Sequence, residues 1–402
     1  MKQRSGWVAM AAAVGMAGMA GADDFYAAQN GQDPGDYKSW ATAASNIQEA
    51  VNAAGTNDTV WIGAGRYTVP PSPVEYAGTN VVYLGKPLTL RSSNGLPESV
   101  VIDGGGSNRG IAAVYNVTTT NRFRLLGLTV SNGLATNYGG GVYFWPGTRF
   151  WTGEVNDCVI RDNTAQSGGG VAWRGDSMAA ALSLSNTVVE RNEATSDCGG
   201  LYAYKLGYLT STDGRVSSNR SAMMGGGLYF YLVGTGLFAR ARIHYNEATN
   251  YAGGFGVYGT RLLINESVIH DNRVTATNRS VNQTGGGGIR LDTAPLVMRN
   301  SLMYNNYSER EGGAIRTQNN NPKVSLYNCT IVSNQGTTFG AISISSSTGL
   351  ELRMGNTIVY SNAARDLTGV ALIYLTNNAI CSFTNSCLTN ALLAGSGNIT
   401  NP

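Results

Sequence analysis

Short apolar runs recur along this chain, each followed three residues later by an asparagine. The apolar positions are Ile160, Val189, Val216, Ile243, Ile269, Met303, Ile331 and Val359. The asparagine anchors are Asn132, Asn163, Asn192, Asn219, Asn246, Asn272, Asn306, Asn334, Asn362 and Asn390, spaced 31, 29, 27, 27, 26, 34, 28, 28 and 28 residues apart. Two residues before each apolar position stands a smaller one: Cys158, Thr187, Gly214, Ala241, Ser267, Ser301, Cys329 or Thr357. Positions two apart share one face of a β-strand, so both columns point inward. The residue between them is mixed (Val159, Arg215, Arg242, Thr330), as an outward position is.

Beyond each anchor a polar stretch leads to a glycine cluster, for example Gly168–Gly170, Gly225–Gly227 and Gly312–Gly313. An apolar residue follows: Val142, Val171, Leu201, Leu228, Val257, Ile289, Ile315 or Ile342. A further strand lies between, as in Ala181–Leu184 or Lys323–Leu326. Three short strands in about 28 residues leave no room for helices, so each must pair with its equivalent one coil on. The prediction is an all-β, right-handed parallel β-helix, a single-stranded solenoid rising about 4.8 Å per coil. The longest interval carries an insert around Thr275–Thr284 that reads as an expanded loop. The anchor asparagines are expected to stack at one corner, adopt left-handed backbone there, and bond the amides of neighbouring coils. That makes them a structural ladder rather than a catalytic set.

The N-terminal part follows another pattern. Ser45-Asn46-Ile47-Gln48 has capping-box spacing, and Ile47, Ala50, Val51 and Ala54 line one helical face that ends at Gly55. Such a helix can cover the open first coil of a solenoid. Thr59–Ile62, Leu88–Leu90, Val100–Ile102 and Phe123–Val130 read as strands of less regular first coils. The expected organisation is a signal peptide over 1–22, a helical cap over 23–58 and the β-helix over 59–402, regular from about residue 123.

Composition adds the compartment. Lys2 and Arg4, the apolar Trp7–Ala20 stretch and Ala20-Gly21-Ala22 form a secretory signal pattern, with Asp23 the mature N-terminus. No later apolar run reaches membrane length. Without the signal, 26 basic residues face 25 acidic ones, and no basic stripe favours nucleic acid. Five cysteines are an odd number for a disulfide framework. Cys381 and Cys387 are close enough for a local loop, whereas Cys158 and Cys329 read as small buried residues.

The segments Trp40-Ala41-Thr42, Ile47-Gln48-Glu49-Ala50-Val51, Asp58-Thr59-Val60-Trp61-Ile62 and Gly65-Arg66-Tyr67 resemble the N-terminal cap of bacterial pectin-lyase-like β-helix proteins. The Gly-Gly-x-apolar and apolar-x-x-Asn pattern resembles polymorphic outer membrane protein repeats. Gly312-Gly313-Ala314-Ile315 matches that repeat strictly; elsewhere Gly or Leu often replaces the Ala, and Ile or Val the expected Phe. The resemblance implies the fold and an extracellular or outer-membrane surface location in a bacterium. It implies less about activity, because this architecture carries lyases, hydrolases and adhesins. Family lyases use a calcium-binding acidic cluster with an Arg or Lys base, so calcium enters only with a lyase reading. The hydrolases use close Asp residues and often Gly-His-Gly, which is absent here. Family members also continue past a segment like Gly397–Thr400, so an incomplete C-terminal end is expected.

Two sets of side chains are candidates for chemistry. His244 and His270 each lie two residues before an anchor and should stack on successive coils, as a weak metal or pH site or as an exposed polar ladder. In the strand after each glycine cluster, Phe144, Trp173, Phe230 and Leu291 alternate inward. Tyr143, Trp145, Arg174, Tyr202, Tyr204, Tyr229, Tyr231, Tyr258, Arg290 and Arg316 then form an outward stripe, aromatic first and basic further on. Aromatic faces suit sugar rings and Arg suits acidic glycans, so a polysaccharide or surface glycan is the favoured ligand. A protein contact and plain sheet-forming residues are the competing explanations. The expected function is binding or adhesion, with a pectin-lyase-like lyase or hydrolase as the alternative.

Overall fold

Both inward columns take the places their spacing predicts. Ile160, Val189, Val216, Ile243, Ile269, Met303, Ile331 and Val359 are register partners on consecutive coils. All eight are buried. The structure is a computed structural model and describes residues 22–388, apart from 69–71, 75–77, 115–120, 148–150, 177, 276–284, 319–321, 338, 346–349, 365–372, 376–378 and 385. The signal segment, Asn390 and most of the Thr275–Thr284 insert lie outside these residues, as do the side chains of Cys381 and Cys387.

The chain is an all-β, right-handed parallel β-solenoid of about 10 turns. The strands preceding the asparagine corner form a 12-stranded parallel sheet running from Gly65–Tyr67 to Cys387–Leu388. Short strands just after that corner form an eight-stranded sheet from Thr164–Ser167 to Ala363–Ala364. The remaining two strand positions of each coil merge into one 23-stranded sheet. They merge because Leu201–Thr212 and Leu228–Ala239 run through the corner that elsewhere separates the two positions. Aromatic side chains layer the interior of several coils. Trp151 lies 4.6 Å from Phe123 and 4.8 Å from Trp173, and Phe238 lies 4.9 Å from Phe255.

The asparagine ladder exists, with two corrections. From Asn163 to Asn334, each backbone N–H and each Nδ2 donates to Oδ1 of the next anchor, the Nδ2 bonds all 2.9 Å long. Each Nδ2 also donates to a buried carbonyl of the preceding coil, such as Val189 or Val216. The left-handed backbone, however, belongs to the residue before the anchor: Asp162, Arg191, Ser218, Tyr245, Asp271, Asn305, Ser333 and Ser361 have φ of 52–59°. The anchor keeps ordinary φ because its side chain must point inward. Asn132 is therefore out of the ladder; it takes the left-handed place at φ 52°, and the backbone N–H of Gly133 meets Asn163 Oδ1 at 2.8 Å.

A second corner repeats the device. Asp157, Asn186, Asp213, Arg240, Glu266, Asn300, Asn328 and Asn356 have positive φ there. Phe123–Val130 is accordingly two strands, Asn121–Leu126 and Thr129–Ser131, broken by Gly127 at φ 64°. Cys158 and Cys329 are buried with free thiols, and burial pushes the Cys158 thiol up to about 12.

At the N-terminus the helix Ile47–Ala53 buries Ile47, Ala50 and Val51. They cover the strands Asp24–Ala27 and Thr59–Ile62. Its cap is Asn46, whose side chain accepts from Glu49 N–H at 2.9 Å, rather than Ser45. Ser45 turns its hydroxyl to the Asp33 carboxylate. Gln48 leaves the capping register as well, and its amide pairs with the backbone of Tyr83.

Candidate functional site

The strand after each glycine cluster has its inward residues as predicted: Phe144, Trp173, Phe230 and Leu291 are buried in the core. Its outward residues form two columns. The first runs Tyr143, Ala172, Tyr202, Tyr229, Gly256, Arg290, Arg316, and the second Arg174, Tyr204, Tyr231, Tyr258, Asp292.

The first column is covered, and this corrects the expectation of a wholly exposed stripe. Tyr143, Tyr229, Arg290 and Arg316 are buried. The segment between anchor and glycine cluster forms its own narrow ladder through Asp197, Met224, Tyr251, Gly285 and Glu311, and it lies across the outer face. Tyr138 stacks 6.0 Å from both Tyr143 and Tyr202, and Tyr251 meets Tyr229 edge-on at 5.9 Å. Cys198, Tyr229, Tyr251 and Ala252 thereby make a second small core, with Tyr202 and Tyr231 against it. Burial raises the phenol pKa of Tyr202 and Tyr229, so both stay protonated.

The two arginines close this layer. Arg290 lies 3.9 Å from the centroid of the Tyr251 ring, with Nε 3.4 Å from Asp292 Oδ1 and an Nη donating to Gln318 at 2.8 Å. The Tyr251 hydroxyl donates to the same Asp292 carboxylate. Arg316 sits with Nε 3.5 Å from Glu311 Oε2, which also accepts from Ser343 at 2.9 Å. Burial, together with the charge of Arg290, brings Arg316 down to about 10. Arg109, which the sequence did not single out, plays this part in an earlier coil. It donates to Asn80 at 2.7 Å and to the Gly139 carbonyl at 2.8 Å, and burial lowers it to about 10.

The second column remains accessible. Tyr204, Tyr231 and Tyr258 are half-buried and stack one per coil, with centroids 5.5 Å and 4.6 Å apart and planes 15° and 5° from parallel. Their faces cover one another, so the column presents ring edges and hydroxyls. Trp145 is half-buried, and Arg174 is exposed with its guanidinium 5.1 Å from the Tyr138 ring.

His244 and His270 are stacked as predicted, but half-buried rather than exposed. Tyr304 continues the stack at 4.6 Å from His270, and Asp271 holds His270 Nδ1 at 2.6 Å. Among the described residues no group of three or more His, Cys, Asp or Glu side chains is placed to hold a metal. None of the described helices is long and apolar enough to cross a membrane.

A different aromatic cluster lies at the first coils. Tyr26 and Trp61 are register partners, with Arg91 next in the column. Trp61 Nε1 donates to Asp24 Oδ1 at 2.9 Å, and the Arg91 guanidinium lies 4.7 Å from the Trp61 ring centroid. Trp40 meets Tyr26 edge-on at 4.8 Å and is 47% exposed. Asp24, Tyr26, Trp40, Trp61, Gly63 and Ser93 line an open cavity of about 520 Å³. Strand alternation alone would place Trp61 outward; only the folded chain brings Trp40 to it.

No family model and no curated protein matches this chain. Among solved structures, the crystal structure of pectate lyase Pel9A aligns at TM-score 0.38 and 13% identity, covering 92% of this chain and 79% of its own. The crystal structure of PfbA, a surface adhesin of Streptococcus pneumoniae, aligns at TM-score 0.25 and 11% identity, covering 85% and 86%. The parallel β-helix itself rests on the strand pairing of this chain.

Proposed function

We propose that this chain is an exported β-helix protein that binds carbohydrate at or beyond the cell surface, holding an extended glycan along the Tyr204–Tyr231–Tyr258 column. The observation that carries this reading is the register of the three phenols, one on each of three consecutive coils. A ladder of hydroxyls at regular intervals offers a repeating ligand the same donor and acceptor on each coil. Arg174, exposed one coil before Tyr204, is placed to pair with a carboxylate of an acidic glycan. The signal pattern at residues 1–22 supports export.

Binding is favoured over turnover because two of the three arginines in the stripe are withdrawn from any ligand. Arg290 is covered by Tyr251, and Arg316 lies buried beside Glu311. The test is to incubate the mature protein with neutral and uronic-acid glycans, with and without calcium. Binding without turnover is expected, and it should be lost in Tyr204→Ala plus Tyr231→Ala. Unsaturated products or new reducing ends would overturn the binding reading in favour of a lyase or hydrolase. Unchanged affinity in the double variant would remove the column from the site and leave it as structure or a protein contact.

A further inference from the structure

The open cavity at the first coils is a separate site, and its chemistry differs from that of the tyrosine column. The geometry points to a second carbohydrate subsite at Asp24, Tyr26, Trp40, Trp61 and Ser93 that takes a neutral pyranose ring.

The lining combines three aromatic rings with two small polar groups around about 520 Å³, a volume within the range of small-molecule sites. A pyranose carries C–H groups on its faces and hydroxyls around its rim, which is the complement of that lining. Trp40 is the accessible ring, held edge-on by Tyr26 instead of being stacked into a column, so it retains surface for a sugar face. Trp61 is fixed on both sides of the chemistry. Its Nε1 is committed to Asp24 Oδ1, and Arg91 sits against its ring. An indole held this way needs no ordering when a ligand arrives.

Asp24 sets the specificity. Its Oδ1 accepts from Trp61, and its Oδ2 has no hydrogen-bond partner among the described residues, so it can accept a sugar hydroxyl. Among the described residues that line the cavity Asp24 alone carries a charge, and it is anionic; Arg91 is outside the lining and lies over the Trp61 ring. A uronic acid would bring a second carboxylate against it, whereas a neutral ring would not. Gly63 lies beside Trp40, where a Cβ would make ordinary contact with that ring at 3.4 Å. The groups of this cavity fall between Asp24 and Ser93, and the column begins only at Tyr204, so the two glycan readings stand or fall separately.

The experiment is isothermal titration calorimetry of the mature protein with cellohexaose, xylohexaose, mannohexaose and laminarihexaose, and with pentagalacturonate as the acidic probe. At least one neutral oligosaccharide should bind, with affinity falling about tenfold or more in Trp40→Ala. Trp40→Phe should recover part of it. Asp24→Asn keeps an acceptor for Trp61 and should raise the affinity for pentagalacturonate relative to the neutral probes. Trp40 is on the surface, and far-UV circular dichroism checks that each variant folds. Neutral binding unchanged in Trp40→Ala overturns the subsite, as does a preference for pentagalacturonate that persists in the variant lacking the Tyr204, Tyr231 and Tyr258 rings, or binding of none of the probes. The variant lacking the Tyr204, Tyr231 and Tyr258 rings separates the readings. Neutral binding that survives there but not in Trp40→Ala supports this subsite alone, and the converse supports the column alone.

Discussion

The imidazoles of His244 and His270 stack face to face on successive coils, with centroids 4.8 Å apart and planes 2° from parallel. Burial lowers the His244 pKa to about 4, helped by the charge of His270 and then of Arg215, while Asp271 works in the opposite sense. The unfolded chain takes up this proton near 6.5, the folded chain only near 4. Between those values the unfolded state holds more protons, so the contribution of His244 to stability is present above about pH 6.5 and is lost as pH falls toward 4. Urea midpoints measured from pH 7.5 to 4.5 should fall in the unaltered protein and fall less in His244→Gln. Equal slopes would assign the acid sensitivity to other groups.

Asn246 is the hinge of four ladder bonds. Its Oδ1 accepts from Asn219 N–H and Nδ2, and its Nδ2 donates to Val216 and Asn272. Asn246→Ala strands those buried partners, at a cost of roughly 3 kcal/mol. Asn246→Asp should be worse, since a carboxylate cannot donate to Asn272 Oδ1 and would be buried with its charge. Denaturant unfolding of both variants measures this order.

Gly226 shows why the clusters are glycine where φ is ordinary. A Cβ there would lie 2.6 Å from the Glu247 nitrogen and 2.6 Å from the Gly253 oxygen, both backbone atoms of the next coil. Gly226→Ala must force neighbouring coils apart and should cost about 1–3 kcal/mol. Gly95→Ala is the control, because nothing stands within 4 Å of that Cβ and only its φ of 74° opposes the change.

Tyr251 ties the outer layer together. Its hydroxyl serves the buried Asp292 and its ring carries Arg290. Tyr251→Phe keeps the ring and removes one donor to a buried carboxylate, for a loss of about 1–3 kcal/mol in thermal or chemical unfolding. Tyr251→Ala should additionally uncover Arg290 and Tyr229, raising their exposure to dyes and modifying reagents.

Strand positions and inward columns were legible from spacing because the period of a solenoid is also the period of its core. The φ of the asparagine corner was not. Whether Asn163 or Asp162 turns left-handed depends on which side chain finds Asn192 in the next coil, a partner 29 residues away. The stripe was half legible for a similar reason. Alternation shows that Tyr143 and Arg290 point away from the core, but not that Tyr138 and Tyr251 arrive to cover them. The aromatic cavity escaped because Tyr26 and Trp61 are 35 residues apart and Trp40 joins them from a 3-10 turn.

The bonds of the asparagine ladder run from coil to coil, along the long axis of the solenoid. Tension between the ends would load the coils in series, and a terminal coil would let go before its neighbours. Each release of 27 residues, as between Asn219 and Asn246, should lengthen the chain by about 90 Å. Single-molecule extension is therefore expected to give a near-uniform staircase, with larger steps where an interval reaches 34 residues, as between Asn272 and Asn306.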